Sequence, residues 1–159
     1  MSLAEAGAAL GVTVCVENLP RSCLGNRADE LLSIVAADSR LRVCFDVNHL
    51  LLESHAEFLK AAGPLIATLH ISDYDFVNER HWLPGEGKID WDALADGLDA
   101  IGYTDAFTYE LGLHGDPKTV AHPRDLEPAD FVRNAREIEE RRPLTVIGAG
   151  GIPDLPMWP

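Results

Sequence analysis

Positive charge is scarce in this 159-residue chain: Lys and Arg number 13 against 26 Asp and Glu, for a formal net charge of −13 at pH 7. Nucleic-acid binding depends on basic side chains that neutralise phosphates. The densest basic stretches, 133–142 and 79–81, are interleaved with acids and read as ordinary solvated faces. Long apolar runs are also missing, since none approaches the ~20 residues of a membrane span. The opening MSLAEAGAALG lacks the basic start and long apolar centre of a signal peptide, so the expected compartment is the cytoplasm, with no membrane partner. Cysteine is too sparse for a disulfide framework, with three residues, an odd number. Cys15 and Cys44 fall in strand-like runs and read as core residues; Cys23 reads as a loop thiol.

What the chain does have is a repeated pattern of strand ends. Hydrophobic residues make up 47% of it, enough to bury one ordinary core. Four short apolar runs each stop on a residue able to bind metal: VTVCVE at Glu17, LRVCFD at Asp46, IATLH at His70 and AFTYE at Glu110. Side chains alternate faces along a strand, so Cys15, Cys44, Thr68 and Thr108, two before each end, share a face with it. All four are small and weakly polar. Their neighbours Val14, Val16, Val43, Phe45, Ala67, Leu69, Phe107 and Tyr109 are apolar or aromatic. One face therefore packs on helices and the other lines a narrow interior under a polar rim, as in a barrel wall. Strands do often stop at polar residues. With 26 Asp and Glu and 6 His in the chain, however, four independent ends would all be such residues about once in 600 on composition alone.

Helical patterns separate the runs. Residues 28–39 set Leu31, Leu32 and Val35 on one face; 54–63 opens on Ser54 and closes on Gly63. Residues 90–102 use Asp90 as N-cap and Gly102 as stop, and 127–141 begins with Pro128 and ends before Pro143. The expected fold is α/β, a parallel sheet of four successive strand-helix units with right-handed crossovers. Residues 1–142 form this domain and 143–159 an irregular tail, in which GAGG has no following helix to make it a phosphate loop. AEAGAALG reads as the end of a helix feeding the first strand, so the chain is expected to start inside a unit.

Two Glu, one Asp and one His form an oxygen-rich set suited to Mn²⁺ or Mg²⁺, with Co²⁺ or Zn²⁺ as substitutes. Such an ion could hold two neighbouring oxygens of a hydroxy-carbonyl substrate and stabilise the enediolate left when a proton departs from carbon. Glu17 and Glu110, from the first and last runs, are placed to act as base and acid on opposite sides of a substrate. His49, three after Asp46, can reach the same pocket and polarise a substrate oxygen, although Asn-His after a strand is also a common turn. His81 lies in the long loop HISDYDFVNERHWLPGEGKIDW, whose length and polarity suit closure over a substrate. Asp73 and Glu79 read as solvated, and His55, His114 and His122 as surface residues.

The segments ENLPR, FDVNH, HISDYD, ERHWLPGEGKIDW and YEL, in this order, resemble the xylose isomerase-like TIM-barrel superfamily over about residues 3–140. Within it, the chain is similar to the sugar phosphate isomerase/epimerase group. The resemblance implies a partial TIM barrel corresponding to strands 5–8, with Glu17, Asp46, His70 and Glu110 as metal ligands. It also implies that the two glutamates double as acid/base residues, and that His49 is a substrate or second-metal residue. His81 matches a position that belongs to an additional metal site in endonuclease IV. A family barrel has eight units in about 250 residues. Four units alone leave open edges and an uncovered face, so the expectation is either a missing N-terminal half or a homodimer that closes the barrel. The functional expectation is a divalent-metal-dependent isomerase or epimerase of a sugar, sugar phosphate or polyol. The alternatives are an endonuclease IV-like DNA-repair phosphodiesterase and a catalytically inactive half-barrel used for binding or assembly.

Overall fold

The computed structural model describes residues 2–114 and 124–147. His122, the GAGG segment and the end of the expected tail lie outside the described residues. Helix α1 (Leu3–Ala9) precedes strand β1 (Cys15–Glu17), and then α2 (Ala28–Val35), β2 (Arg42–Asp46), α3 (His55–Ala62), β3 (Ile66–Ile71), α4 (Trp91–Ala100), β4 (Phe107–Tyr109) and α5 (Pro128–Glu139) alternate. The four strands form one parallel sheet in the order β1-β2-β3-β4. Strands adjacent in sequence are adjacent in space, joined by helices that cover one face.

Local chemistry explains the helix starts. Ser54 accepts from the Glu57 amide while the Glu57 carboxylate accepts from the Ser54 amide, and Asp90 accepts from the amide of Ala93. A reciprocal Ser2–Glu5 pair caps α1. Gly102 stops α4 in the left-handed region, φ 74°. Gly63 departs from the expected stop: its backbone is right-handed, φ −42° and ψ −50°. Its missing side chain instead makes room for Ile101, whose Cγ2 lies 2.6 Å from the position a Cβ would take.

The core lies between the sheet and its helices. Val43, Phe45, Leu69 and Ile71 point from β2 and β3 toward Leu31 and Val35 of α2, Phe58 and Leu59 of α3, and Leu94 and Leu98 of α4. Phe45 and Phe58 stack with ring centroids 4.5 Å apart. The alternation read from the sequence is therefore realised on this face. On the other face Cys44 is buried, Cys15 and Thr68 are half-buried and Thr108 is exposed, so the wall is open toward β4.

The long β3–α4 loop is organised by Asp73, which is fully buried rather than solvated. Its carboxylate accepts from the amides of Tyr74, Gly85 and Ile89 and from the Trp91 indole N–H. A two-way backbone bridge between Asp73 and Trp82 folds the loop back on itself. His55 also differs from expectation, since its Nε2–H donates to the Val47 carbonyl at 2.8 Å and burial lowers its pKa. Gly87 sits against Asp73 and the Tyr74 carbonyl. Replacing Gly87 with Ala should therefore destabilise the fold by about 1–3 kcal/mol in denaturant titration. Gly112→Ala, which meets nothing within 4 Å, should change it little.

Candidate metal centre

Strand pairing sets the height of each side chain in the wall. Asp46 pairs with His70, but Glu17 pairs with Cys44 and His70 pairs with Thr108. The four strand-end residues thus do not sit on one level. Glu17 enters one inward-facing position lower than Asp46, and Glu110, which continues the ladder through its amide to the Ile71 carbonyl, enters one higher than His70. This stagger is the shear of a barrel wall.

Stagger and curvature bring the four together. In a flat sheet β1 and β4 would be about 14 Å apart, three strand spacings; here ligand atoms of Glu17, Asp46, His70 and Glu110 all lie within 4.8 Å of one another. His70 Nδ1 is 2.6 Å from Glu110 Oε2, 3.5 Å from Glu17 Oε1 and 3.8 Å from Asp46 Oδ2. Asp46 Oδ2 is buried and accepts no hydrogen bond within the protein, whereas Asp46 Oδ1 accepts from the Asn48 amide, and His70 Nδ1 is held only by its close contact with Glu110. An orphaned buried carboxylate oxygen among two further carboxylates and an imidazole fits a divalent cation: its charge offsets the repulsion and its bonds complete Asp46. Mean ligand separations around such an ion are about 3–3.5 Å, so the side chains need close in by only about 1 Å.

The electrostatics agree with the geometry. Asp46 is fully buried, and burial, with the charges of Glu110 and Glu17 adding, raises its pKa to about 7. Burial, then the charges of Glu17 and Asp46, push the Cys44 thiol up to about 12.

Asn18, passed over in the sequence reading, holds the centre from behind. It is fully buried; its Nδ2 donates to the Asp46 carbonyl at 2.9 Å and its Oδ1 accepts from the Asp46 amide at 2.7 Å. Because β1 pairs one position low, Asp46 has no backbone partner on that side, and a side-chain amide, with one donor and one acceptor, replaces the missing peptide. The Asn18 carbonyl also accepts from His49 Nδ1–H at 2.9 Å, which leaves His49 Nε2 with the lone pair. His49 Nδ1 lies 3.5 Å from Glu17 Oε1, so His49 does reach the cluster. His81, at φ 53°, donates from Nδ1 to the Glu110 carbonyl at 3.1 Å and meets His49 edge-on at 5.9 Å. All six residues singled out from the sequence therefore converge at the carboxyl end of the sheet. His114 is exposed beside Asp125 and takes no part.

A family model, the xylose isomerase-like TIM barrel, matches residues 1–134. The chain belongs to that family. D-psicose 3-epimerase of Agrobacterium fabrum is 30% identical over 107 residues, covering 64% of this chain and 35% of that protein. A solved D-tagatose 3-epimerase-like protein is 28% identical with a TM-score of 0.60, over 67% of this chain and 43% of the other. An L-ribulose 3-epimerase is 29% identical at TM-score 0.60, over 68% and 37%. A 3-keto-D-glucoside 4-epimerase from E. coli shares the fold at 23% identity and TM-score 0.65, over 87% and 49%. The chain thus spans less than half the length of each of these xylose isomerase-like relatives.

The raised pKa of Asp46 predicts a pH dependence of stability in metal-free protein. Its folded-state value of about 7 exceeds the ordinary 3.8, so the contribution is full below pH 3.8 and is lost as pH rises through 7. Thermal melts without metal should show this fall between about pH 4 and 7 in wild type relative to Asp46→Asn. Asn18→Ala should weaken Mn²⁺ binding about 10- to 100-fold by calorimetry.

Proposed function

We propose that the chain supplies the metal-bearing wall of a divalent-metal-dependent sugar epimerase or isomerase, corresponding to strands 5–8 of the family barrel. The single observation that carries this reading is the convergence of Glu17, Asp46, His70 and Glu110 on one point, with the Asp46 Oδ2 buried and unsatisfied. The names of the relatives, 3-epimerases of psicose and ribulose, support a keto-sugar as substrate class.

A bound Mn²⁺ or Mg²⁺, with Co²⁺ or Zn²⁺ as substitutes, would supply positive charge against two adjacent substrate oxygens and stabilise an enediolate. Glu17 and Glu110 enter from the outer strands, so a substrate between them meets a carboxylate on each side. One removes the proton from the carbon beside the carbonyl and the other returns a proton, to the opposite face for epimerisation. His49, its tautomer set by the Asn18 carbonyl, offers Nε2 to a substrate hydroxyl; His81, tied to the Glu110 carbonyl, closes the loop beside it. The remaining wall comes from further strand-helix units, in a second copy or a longer polypeptide. The open inner face at Thr108 also favours a second reading, a catalytically inactive module that binds or assembles. A nucleic-acid substrate is opposed by the charge of −13, and among the described residues no helix is long and apolar enough to cross a membrane.

Mn²⁺ calorimetry tests the centre directly, and absence of both Mn²⁺ and Zn²⁺ binding sinks the enzymatic reading. Glu17→Gln and Glu110→Gln should each slow deuterium uptake from solvent into a keto-sugar by about 10²- to 10⁴-fold when measured at saturating Mn²⁺. Wild-type protein that binds metal, has the solution mass of a closed pair and exchanges no substrate proton would favour the assembly module.

A further inference from the structure

The stagger that lowers Glu17 has a second effect: it sets Glu17 directly beside Cys44 in the β1–β2 register, while Thr68 occupies the next strand at the same height. Ligand atoms of Glu17, Cys44 and His70 also lie within 4.8 Å of one another, a cluster sharing two members with the four-residue group. Cys44 and Asp46 project from the same face of β2, two residues and so about 6.6 Å of strand apart. Glu17 and His70 are long enough to serve either height. Beside the shared Glu17 and His70, the upper position offers two carboxylate oxygens, from Asp46 and Glu110; the lower replaces both with a thiol that is buried, 5% exposed. Ligand softness separates these two environments, since thiolate selects thiophilic ions and carboxylate selects hard ones.

We propose that the centre contains two overlapping metal positions: an upper one for Mn²⁺ or Mg²⁺, and a lower one, made by Glu17, Cys44 and His70, that takes a thiophilic divalent ion such as Zn²⁺, Cd²⁺ or Co²⁺. This rests on the reading of the strand-end cluster as a metal site. Binding at the lower position forms a metal–sulfur bond and releases the Cys44 thiol proton to solvent, with no change of oxidation state. It also withdraws Glu17 and His70 from Asp46 and Glu110, so the two positions exclude one another. A thiophilic ion would thereby remove one acid/base glutamate from the substrate side.

Cobalt reports both positions by spectrum. Wild-type protein loaded with Co²⁺ should show visible d–d bands and a near-ultraviolet thiolate-to-cobalt charge-transfer band. Cys44→Ser should lose the charge-transfer band and keep the d–d bands, while Cys15→Ser should keep both. Cys44→Ser should weaken Cd²⁺ binding at least about tenfold and leave Mn²⁺ affinity nearly unchanged, with Glu110→Gln showing the reverse preference. Cobalt bound with no charge-transfer band in wild type, or a band that survives in Cys44→Ser, overturns the lower position and leaves the upper one standing. No cobalt bound at all overturns both.

Discussion

The parallel pairing of four short strands in a stepped register is the constraint on which the rest of this structure depends. A level pairing would place Glu17, Asp46, His70 and Glu110 along a row too wide for one ion. The steps at β1–β2 and β3–β4 instead tilt the strands relative to the row, and curvature draws the outer two side chains over the inner two. A bulge at Val43/Cys44, where the register shifts against β3, adds local twist and restores the pairing of Asp46 with His70. The apolar face supplies the adhesion that holds this shape, through Val43, Phe45, Leu69 and Ile71 against three helices.

That geometry creates an electrostatic demand met by a supporting layer of polar contacts. A buried Asp46 with two carboxylates nearby is costly, and the protein holds it through the Asn48 amide on one oxygen and the Asn18 amide on its backbone. The same Asn18 accepts from His49, so one residue orients both Asp46 and His49. The long loop is fastened independently by Asp73, whose carboxylate collects three backbone amides and an indole. Loop and strand-end cluster meet where His81 bonds the Glu110 carbonyl.

Membership of the xylose isomerase-like TIM barrel family and the span of less than half of each relative described above fit together. The described residues contain four strand-helix units and the four clustered strand-end residues on a wall whose inner face is open beside β4. On the proposed function, the metal would be held by these units, whereas substrate selection would depend on surfaces outside the four-residue cluster. Metal binding is therefore expected to be separable from substrate choice.

Much of this was legible in residue order. Period-two alternation located the four strands, caps at Ser54 and Asp90 located two helices, and the residue types at the strand ends indicated metal chemistry, because each signal is local and repeats within a few residues. Glu110 was found although it follows β4 rather than ending it, since side-chain alternation continues past the last paired residue. Nothing local marks the contacts of Asn18, Asp73 and Cys44, because their partners Asp46, Trp91 and Glu17 lie 28, 18 and 27 positions away. The identity and facing of the ligands follow from the chain's own alternation, which any strand imposes on its side chains. Their relative heights, the enclosure of Asp46 and the approach of the Cys44 thiol to Glu17 follow from inter-strand register, which is set by how whole strands and helices pack and is written in no single segment.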